Sequence, residues 1–352
     1  MPQLRHLPRP GVPVRGHRGV ALARVALDAM GGDLAPAETV AGAVLAVAAG
    51  HDVVLVGDEA ALAPLVERAD HDLEIVHAPD VVGMGDHPTR ALRERPESSI
   101  AVAARLVAEG RADALVSAGS TGAAMAAAVF LIGRVPGVQR PPIATVIPAV
   151  PDPIILLDSG ANPDCKPEHL AQFAVLGAVM AQTYHGVETA RVGLLNIGEE
   201  AGKGRELERR TWQLLDDLAA ADPAIDFVGN VEGRDIAGGK ADVVVTDGYA
   251  GNLVLKTAEG SMRLAALAAL EIMSDLPPES QQAAMPILAG LRDRFDPDNT
   301  GGAHLLGTKG VVVIAHGSSP ARAIERAIHV AAEGASRDLV GRVTERLAAG
   351  QP

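Results

Sequence analysis

IILLDSGANPDCKPEHL, residues Ile154 to Leu170, holds the plan that the rest of the chain repeats. Ile154, Ile155, Leu156 and Leu157 form an unbroken apolar run, the pattern of a short strand buried on both faces. Asp158 ends it. Ser159, Gly160, Ala161 and Asn162 are small residues that let backbone approach a ligand closely, and Pro167 suits the first position of the helix that follows. That helix carries Leu170, Phe173, Ala174, Gly177, Ala178 and Ala181 along one stripe, which predicts a buried face over Pro167 to Gln182. Two readings stand side by side: a strand-to-helix connection that simply has to turn, or a ligand loop with Lys166 at the helix start.

The same unit recurs on both sides of this stretch. Arg24 to Asp28 leads into AMGGD, with Gly31, Gly32 and Asp33 before a helix. Ala112 to Ser117 leads into AGSTGA, where Ser120, Thr121 and Gly122 fit either a helix N-cap or an anion cradle. Beyond the opening stretch come GEEAGKG, GNVEGRD with Asn230, TDGYAGN with Asp247 and Asn252, and AHGSSP with Gly317, Ser318 and Ser319. Lys256 follows one turn into a helix. Polar loops always follow a strand and precede a helix, so the fold class is α/β, and a parallel sheet would bring all of them to one edge. Residues 78–96 read as loop, with Arg90, Arg93 and Arg95 gathering positive charge. Residues 261–304 break the rhythm and read as a helical hairpin, in which Met285, Pro286, Ile287 and Leu288 are expected to pack in a core.

Composition narrows the classes. The 352 residues are 48% hydrophobic but only 2% aromatic, so Ala, Val, Leu and Ile must fill the interior. A net charge of −13 argues against non-specific nucleic-acid binding. The single cysteine, Cys165, excludes an internal disulfide and a Cys-x-x-Cys metal site, and suits a reducing cytoplasm. No run of about 18 apolar residues is present to span a membrane. Residues 1–23, rich in Arg, Pro and His and free of acids, read as a disordered basic tail outside the fold. Of 31 basic residues only five are lysines, which singles out Lys166, Lys203, Lys240, Lys256 and Lys309. For Lys240 a solvated face is a sufficient account.

The chemistry follows by inventory. No Gly-x-Ser-x-Gly elbow, zinc-type His spacing, P-loop or dinucleotide fingerprint occurs. Glycine N–H groups, Asn amides, Ser and Thr hydroxyls and a few lysines remain, which is equipment for holding an anion and polarising a carbonyl. Attack of inorganic phosphate on a thioester needs that equipment and no enzymatic nucleophile.

The motifs ALDAMGGD, VSAGSTGA, LLDSGANPDCKPEHL, GLLNIGEE, FVGNVEGRDI, VVVTDGYAGNLVLKTAEG and IAHGSS, in this order over about residues 24 to 340, resemble the bacterial phosphate acyltransferase family of the PlsX type. The resemblance implies a three-layer α/β/α Rossmann-like fold, isopropylmalate dehydrogenase-like and related to phosphotransacetylases, as a single domain over residues 24–352 with a projecting helical hairpin. It implies transfer of a fatty acyl group from acyl carrier protein to inorganic phosphate, giving acyl phosphate for phospholipid synthesis. It also implies a homodimer in the cytoplasm, in peripheral contact with the inner face of the membrane, that supplies a glycerol-3-phosphate acyltransferase. No cofactor or metal is required. Ser120 stands where the family often has Asn, Cys165 where a small residue is usual, and Ser159 where Val or Ile is common.

Lys166, Asn162 and Asn230 are the expected catalytic set. Gly31, Gly32, Asp33, Ser120, Thr121, Gly122, Gly317, Ser318 and Ser319 are expected to hold phosphate or pantetheine, and Asp247, Asn252 and Lys256 either to support the site or to take part. Cys165 is disfavoured as a nucleophile, because only His169 is sequence-local to activate it. An acidic carrier protein would dock on local basic groups such as Arg90, Arg93, Arg263, Arg292 and Arg294.

Overall fold

The computed structural model describes residues 23–69, 71–295 and 297–349. The expected tail therefore lies outside the described residues, except for Ala23. Eleven strands form one sheet: β1 (Arg24–Asp28), β2 (Asp52–Gly57), β3 (Glu74–His77), β4 (Ala114–Ser117), β5 (Ile143–Ile147), β6 (Ile154–Leu157), β7 (Ala190–Leu195), β8 (Ile225–Val231), β9 (Val243–Val245), β10 (Ala303–Leu305) and β11 (Val311–Ile314). The helices are α1 (Ala37–Ala48), α2 (Glu59–Ala69), α3 (Pro88–Glu94), α4 (Ser99–Ala108), α5 (Thr121–Ala127), α6 (Pro167–Tyr184), α7 (Glu206–Ala221), α8 (Gly248–Ser274), α9 (Pro278–Phe295), α10 (Ala321–Ser336) and α11 (Leu339–Ala349).

Alternation along the strands makes the three layers. Val25 and Leu27 of β1 join the large core beneath α1, α6, α7, α10 and α11, while Ala26 faces the core under α3, α4 and α5. In β6, Ile155 and Leu157 point to that large core, and Ile154 and Leu156 pack with Val254 and Leu255 of α8. Both faces are buried, as the unbroken apolar run requires.

The sheet order is β3-β2-β1-β4-β11-β10-β5-β6-β9-β7-β8. Strands β1, β2, β3, β4 and β11 run parallel, and β6, β7, β8 and β9 run parallel among themselves. Between the blocks, β10 is antiparallel to β11 and β5, and β5 is antiparallel to β6. The blocks therefore run in opposite senses along the ladder. The expectation that every polar loop leaves from one edge is corrected: the loops after β1, β4 and β11 form one cluster, and those after β6, β7, β8 and β9 form another.

Two further expectations are corrected. Residues 88–94 form α3, with Pro88 at its first turn, inside the stretch read as loop. Met285 and Ile287 are exposed rather than packed in a core, as are Leu264, Leu267, Leu270 and Ile272. The hairpin itself is present: α8 starts at the sheet and continues for 27 residues before α9 returns. At the helical rise that length is about 40 Å. Among the described residues no helix is long and apolar enough to cross a membrane.

Candidate active site

The first loop cluster is organised by Asp158, which is fully buried. Its Oδ1 accepts hydrogen bonds from the N–H groups of Ile143, Gly160 and Ala161 at 2.9–3.0 Å. Its Oδ2 accepts from the Asn162 N–H at 2.7 Å and from Asn162 Nδ2 at 2.8 Å. Five donors on one carboxylate fix the SGAN turn as a rigid unit. Asn162 Nδ2 also donates to the Pro141 carbonyl at 3.0 Å. The amide is thus committed inside the loop, and Asn162 shapes the site rather than offering its donors outward.

The start of α8 closes against this turn. A Cβ on Gly251 would sit 1.9 Å from the Asp158 carbonyl oxygen, and one on Gly248 would sit 2.8 Å from Asn162 N. The glycines of TDGYAGN are therefore needed for packing. Asp247 caps α8 by accepting from the Ala250 N–H at 2.8 Å. Its other oxygen accepts from Arg205 at 2.6 Å, and Arg205 also pairs with Glu208. Burial opposes ionisation of Glu208, but the hydrogen bond and charge of Arg205, together with backbone N–H groups, outweigh it and hold the carboxyl below the usual range. Arg205 was not singled out from sequence. Asn252 lies in van der Waals reach of Gly160, and Lys256 is exposed and paired with Glu259 at 2.9 Å.

Asn230 is buried at the end of β8, where its Nδ2 donates to the Glu200 carbonyl at 2.8 Å while its Oδ1 is buried without a partner among the described residues. Lys240, expected on a solvated face, instead donates to the Asn230 carbonyl at 2.9 Å and lies 3.8–3.9 Å from Glu199 and Asp235. Those two acids and Glu232 form the group among the described residues that could hold a cation, and the Lys240 ammonium already sits beside it.

Lys166 is exposed at the N-cap position of α6, and its ammonium makes no ion pair or hydrogen bond among the described residues. Next to it the Cys165 thiol donates to the Asn162 carbonyl at 3.3 Å. Burial, with the Asp158 and Asp247 charges, pushes that thiol up to about 12, so it stays protonated at neutral pH. A neutral thiol beside an unpaired ammonium can bind an anion but cannot serve as a ready nucleophile.

The second cluster interlocks the loops after β1, β4 and β11. The Asp33 N–H donates to the Gly317 carbonyl at 2.7 Å, and a Cβ on Gly31 would lie 2.4 Å from Asp28 Oδ2. Gly32, at φ +114°, packs against the Ala118 and Gly317 carbonyls. The Gly119 N–H donates to Ser117 Oγ at 3.0 Å, which donates in turn to Asp28 Oδ2 at 2.7 Å. Asp28 Oδ1 is buried without a partner among the described residues. Burial pushes this carboxyl above its ordinary range, opposed by the nearby Ser99 and Ser117 hydroxyls and the backbone of Met30 and Gly31. Sequence reasoning passed over Asp28 as the last residue of a strand.

Ser120 occupies the N-cap position of α5, yet its hydroxyl makes no capping bond; Thr121 is exposed beside it, and Gly122 packs on Pro88. Ser318 shares a hydrogen bond with His316 at 2.9 Å, and Ser319 is buried. The first N–H of α10, at Ala321, donates to Glu38 at 2.7 Å. One donor of that helix start already has an internal anion. Of the expected residues, the structure brings Asn162, Lys166, Asp247 and Asn252 together in one cluster and Gly31, Gly32, Asp33, Gly317 and Ser318 in the other.

An α/β/α fold thus carries glycine-rich strand-to-helix loops, a lysine without a partner among the described residues and, next to it, a thiol held protonated. The profile of the fatty acid synthesis protein family matches residues 23–342. The phosphate acyltransferase of Desulforamulus reducens is 46% identical over 330 residues, covering 92% of this chain and 97% of the relative. That of Thermobifida fusca is 48% identical over 331 residues, covering 93% and 90%. This chain belongs to that family and is an acyltransferase. In fold it is similar to a phosphotransacetylase from Streptococcus pyogenes (TM-score 0.61, 16% identity, 89% of this chain and 94% of that one). The EutD phosphotransacetylase from Staphylococcus aureus is similar to the same degree (TM-score 0.59, 18% identity, with the same coverage).

Proposed function

We propose that this acyltransferase moves a fatty acyl group from the thioester of acyl carrier protein to inorganic phosphate, forming acyl phosphate. A phosphate oxygen attacks the thioester carbonyl carbon, the carbon–sulfur bond breaks as the tetrahedral intermediate collapses, and the phosphate proton leaves with the thiol. The observation that carries this reading is the exposed Lys166 ammonium, without a partner among the described residues, beside a Cys165 thiol that donates to the Asn162 carbonyl: the site provides charge for an anion, and phosphate can itself be the nucleophile. Lys166 balances charge on phosphate and on the oxyanion. Asn162 and Asn230 act as positioning residues, through the turn that Asp158 holds and through the loop at Glu200. Asp247 and Asn252 support the same turn, and Lys256 braces the surface of α8. Gly31, Gly32, Asp33, Gly317 and Ser318 in the second cluster, with Ser120, Thr121, Gly122 and Ser319 on the adjoining loops and helix starts, would hold the pantetheine arm or a phosphate oxygen.

The carrier protein, acidic as a class, would meet Arg90, Arg93 and Arg263; the side chains of Arg292 and Arg294 lie outside the described residues. The exposed apolar residues of α8 and α9 support a homodimer and a peripheral contact with the inner, cytoplasmic face of the membrane. The acyl phosphate would pass to a glycerol-3-phosphate acyltransferase. Purified protein should convert acyl carrier protein thioester plus phosphate to acyl phosphate, detected by mass, and should do so faster than with acyl-CoA. Preference for acyl-CoA would move the reading to a phosphotransacetylase-like donor, and phosphate-independent thioester stability with both donors would leave a scaffold.

A further inference from the structure

We propose that Arg140 and the Nε2–H of His169 join Lys166 to form the phosphate subsite over the first turn of α6. The proposal rests on phosphate being the acyl acceptor, and it assigns two residues that the sequence motifs did not single out. His169 is the third residue of α6 and only 6% exposed. Its Nδ1 accepts the Lys166 N–H at 3.1 Å, so the ring proton of the neutral form sits on Nε2. That Nε2 has no hydrogen-bond partner among the described residues, and it is not sealed from solvent. The ring is otherwise buried, so its one free donor is held at the helix start, where an incoming acceptor can reach it.

Arg140 lies on a neighbouring segment that is held against α6. Its segment is pinned to α6 on one side, where the Gln139 N–H donates to Gln172 Oε1 at 2.9 Å and Gln172 Nε2 donates to the Gly137 carbonyl at 2.9 Å. On the other side the Pro141 carbonyl accepts from Asn162 Nδ2 at 3.0 Å. Between these anchors the Arg140 guanidinium forms no ion pair among the described residues, and its charge is felt by both His169 and Cys165. Burial lowers the His169 imidazole below its ordinary value, and Arg140 and Lys166 lower it further against Glu168, itself 3.9 Å from Arg210. The ring is therefore a neutral donor at physiological pH, the state suited to an oxyanion whose charge the two nearby cations balance. A guanidinium, an ammonium and an imidazole N–H match the oxygens of inorganic phosphate.

The competing role for His169 is capping alone, since its Nδ1 occupies the place of the acidic or amide acceptor in a capping box. Substitution separates the two. His169→Glu keeps an acceptor for the Lys166 N–H and removes the donor, whereas His169→Gln keeps both. With phosphate as the acceptor, His169→Glu and Arg140→Met should each raise the phosphate KM roughly 10- to 100-fold. The acyl-donor KM should stay within about twofold, and His169→Gln should recover most of the loss. In the full-length protein with ¹⁵N-labelled histidine, the His169 Nε2–H resonance should shift and saturate as inorganic phosphate is added. A phosphate KM in His169→Glu equal to that of wild type, or a His169 resonance unmoved by phosphate, overturns the assignment. The titration requires no turnover, so failure to form acyl phosphate would reject the proposed function while leaving this subsite to stand or fall on its own signal.

Discussion

The two loop clusters are built from the same sequence unit and finished in opposite ways. Around Asp158 each carboxylate oxygen has at least two donors, two glycines let α8 touch the turn, and Arg205 ties Asp247 to Glu208. Around Asp28 one carboxylate oxygen is buried without a partner, and the Ser120 hydroxyl is uncommitted. The first cluster is a saturated frame that holds Lys166 at its rim. The second is a close-packed glycine cradle around a carboxyl that burial favours in its protonated form. Saturation gives preorganisation, and unsatisfied groups keep capacity for a ligand or a proton.

Substitutions can break this contrast. Gly251→Ala places a methyl group on the Asp158 carbonyl. The strain should reach at least about 4 kcal/mol, read as loss of a cooperative unfolding transition. A stable, active Gly251→Ala would mean the frame is far softer than its hydrogen bonds imply. Lys166→Ala sits at the rim rather than in the frame. It should lower turnover about 10²- to 10³-fold while the denaturation midpoint stays put.

The seam between the blocks has its own test. His304 of β10 is buried, shares a hydrogen bond with Tyr184 at 2.8 Å and has an unpartnered Nδ1. Burial lowers it from 6.5 to about 4, so the folded state prefers the neutral ring. The stability associated with that ring is whole above about pH 6.5 and is lost as pH falls toward about 4, a change on the order of 3 kcal/mol. Urea midpoints across that range should show it, and His304→Gln should flatten the dependence.

Asp28 carries the opposite sign. Its folded-state carboxyl is raised above 3.8, so the stability present below that value is lost as pH rises. Asp28→Asn should therefore gain on wild type as pH increases from about 4 to about 7, read as a difference between urea midpoints. If the wild-type carboxyl were instead ionised and stabilised by its neighbours, the variant would lose ground. The smallest effect belongs to Lys256→Ala, which removes an exposed pair with Glu259. Such a pair is worth only about 0.5 kcal/mol or less, and turnover should remain within about twofold.

Strand identity and the polar loops were legible because periodicity and turn residues are local properties. The run at Ile154–Leu157 and the helix after Lys166 follow directly from sequence. Strand direction is not local, so the reversal across β10, a strand of three residues, had no signature. The same limit hid Arg140, whose segment is joined to α6 by Gln172 through Gln139 and Gly137. Asn162 read as a free amide because sequence cannot tell that Asp158 and Pro141 already use its donors. Lys166, at a helix start before Pro167, was visible because both its residue type and its place are written in neighbouring residues.

The central claim is that phosphate itself attacks, at a site where Cys165 stays a bystander. Incubating the protein with acyl carrier protein thioester and fully ¹⁸O-labelled phosphate, followed by mass analysis of product and protein, tests it most directly. The account predicts acyl phosphate that retains every labelled oxygen, and a Cys165 that never carries an acyl group. An acylated Cys165 on the path to product, or thioester cleavage that yields free fatty acid and no acyl phosphate, would contradict it.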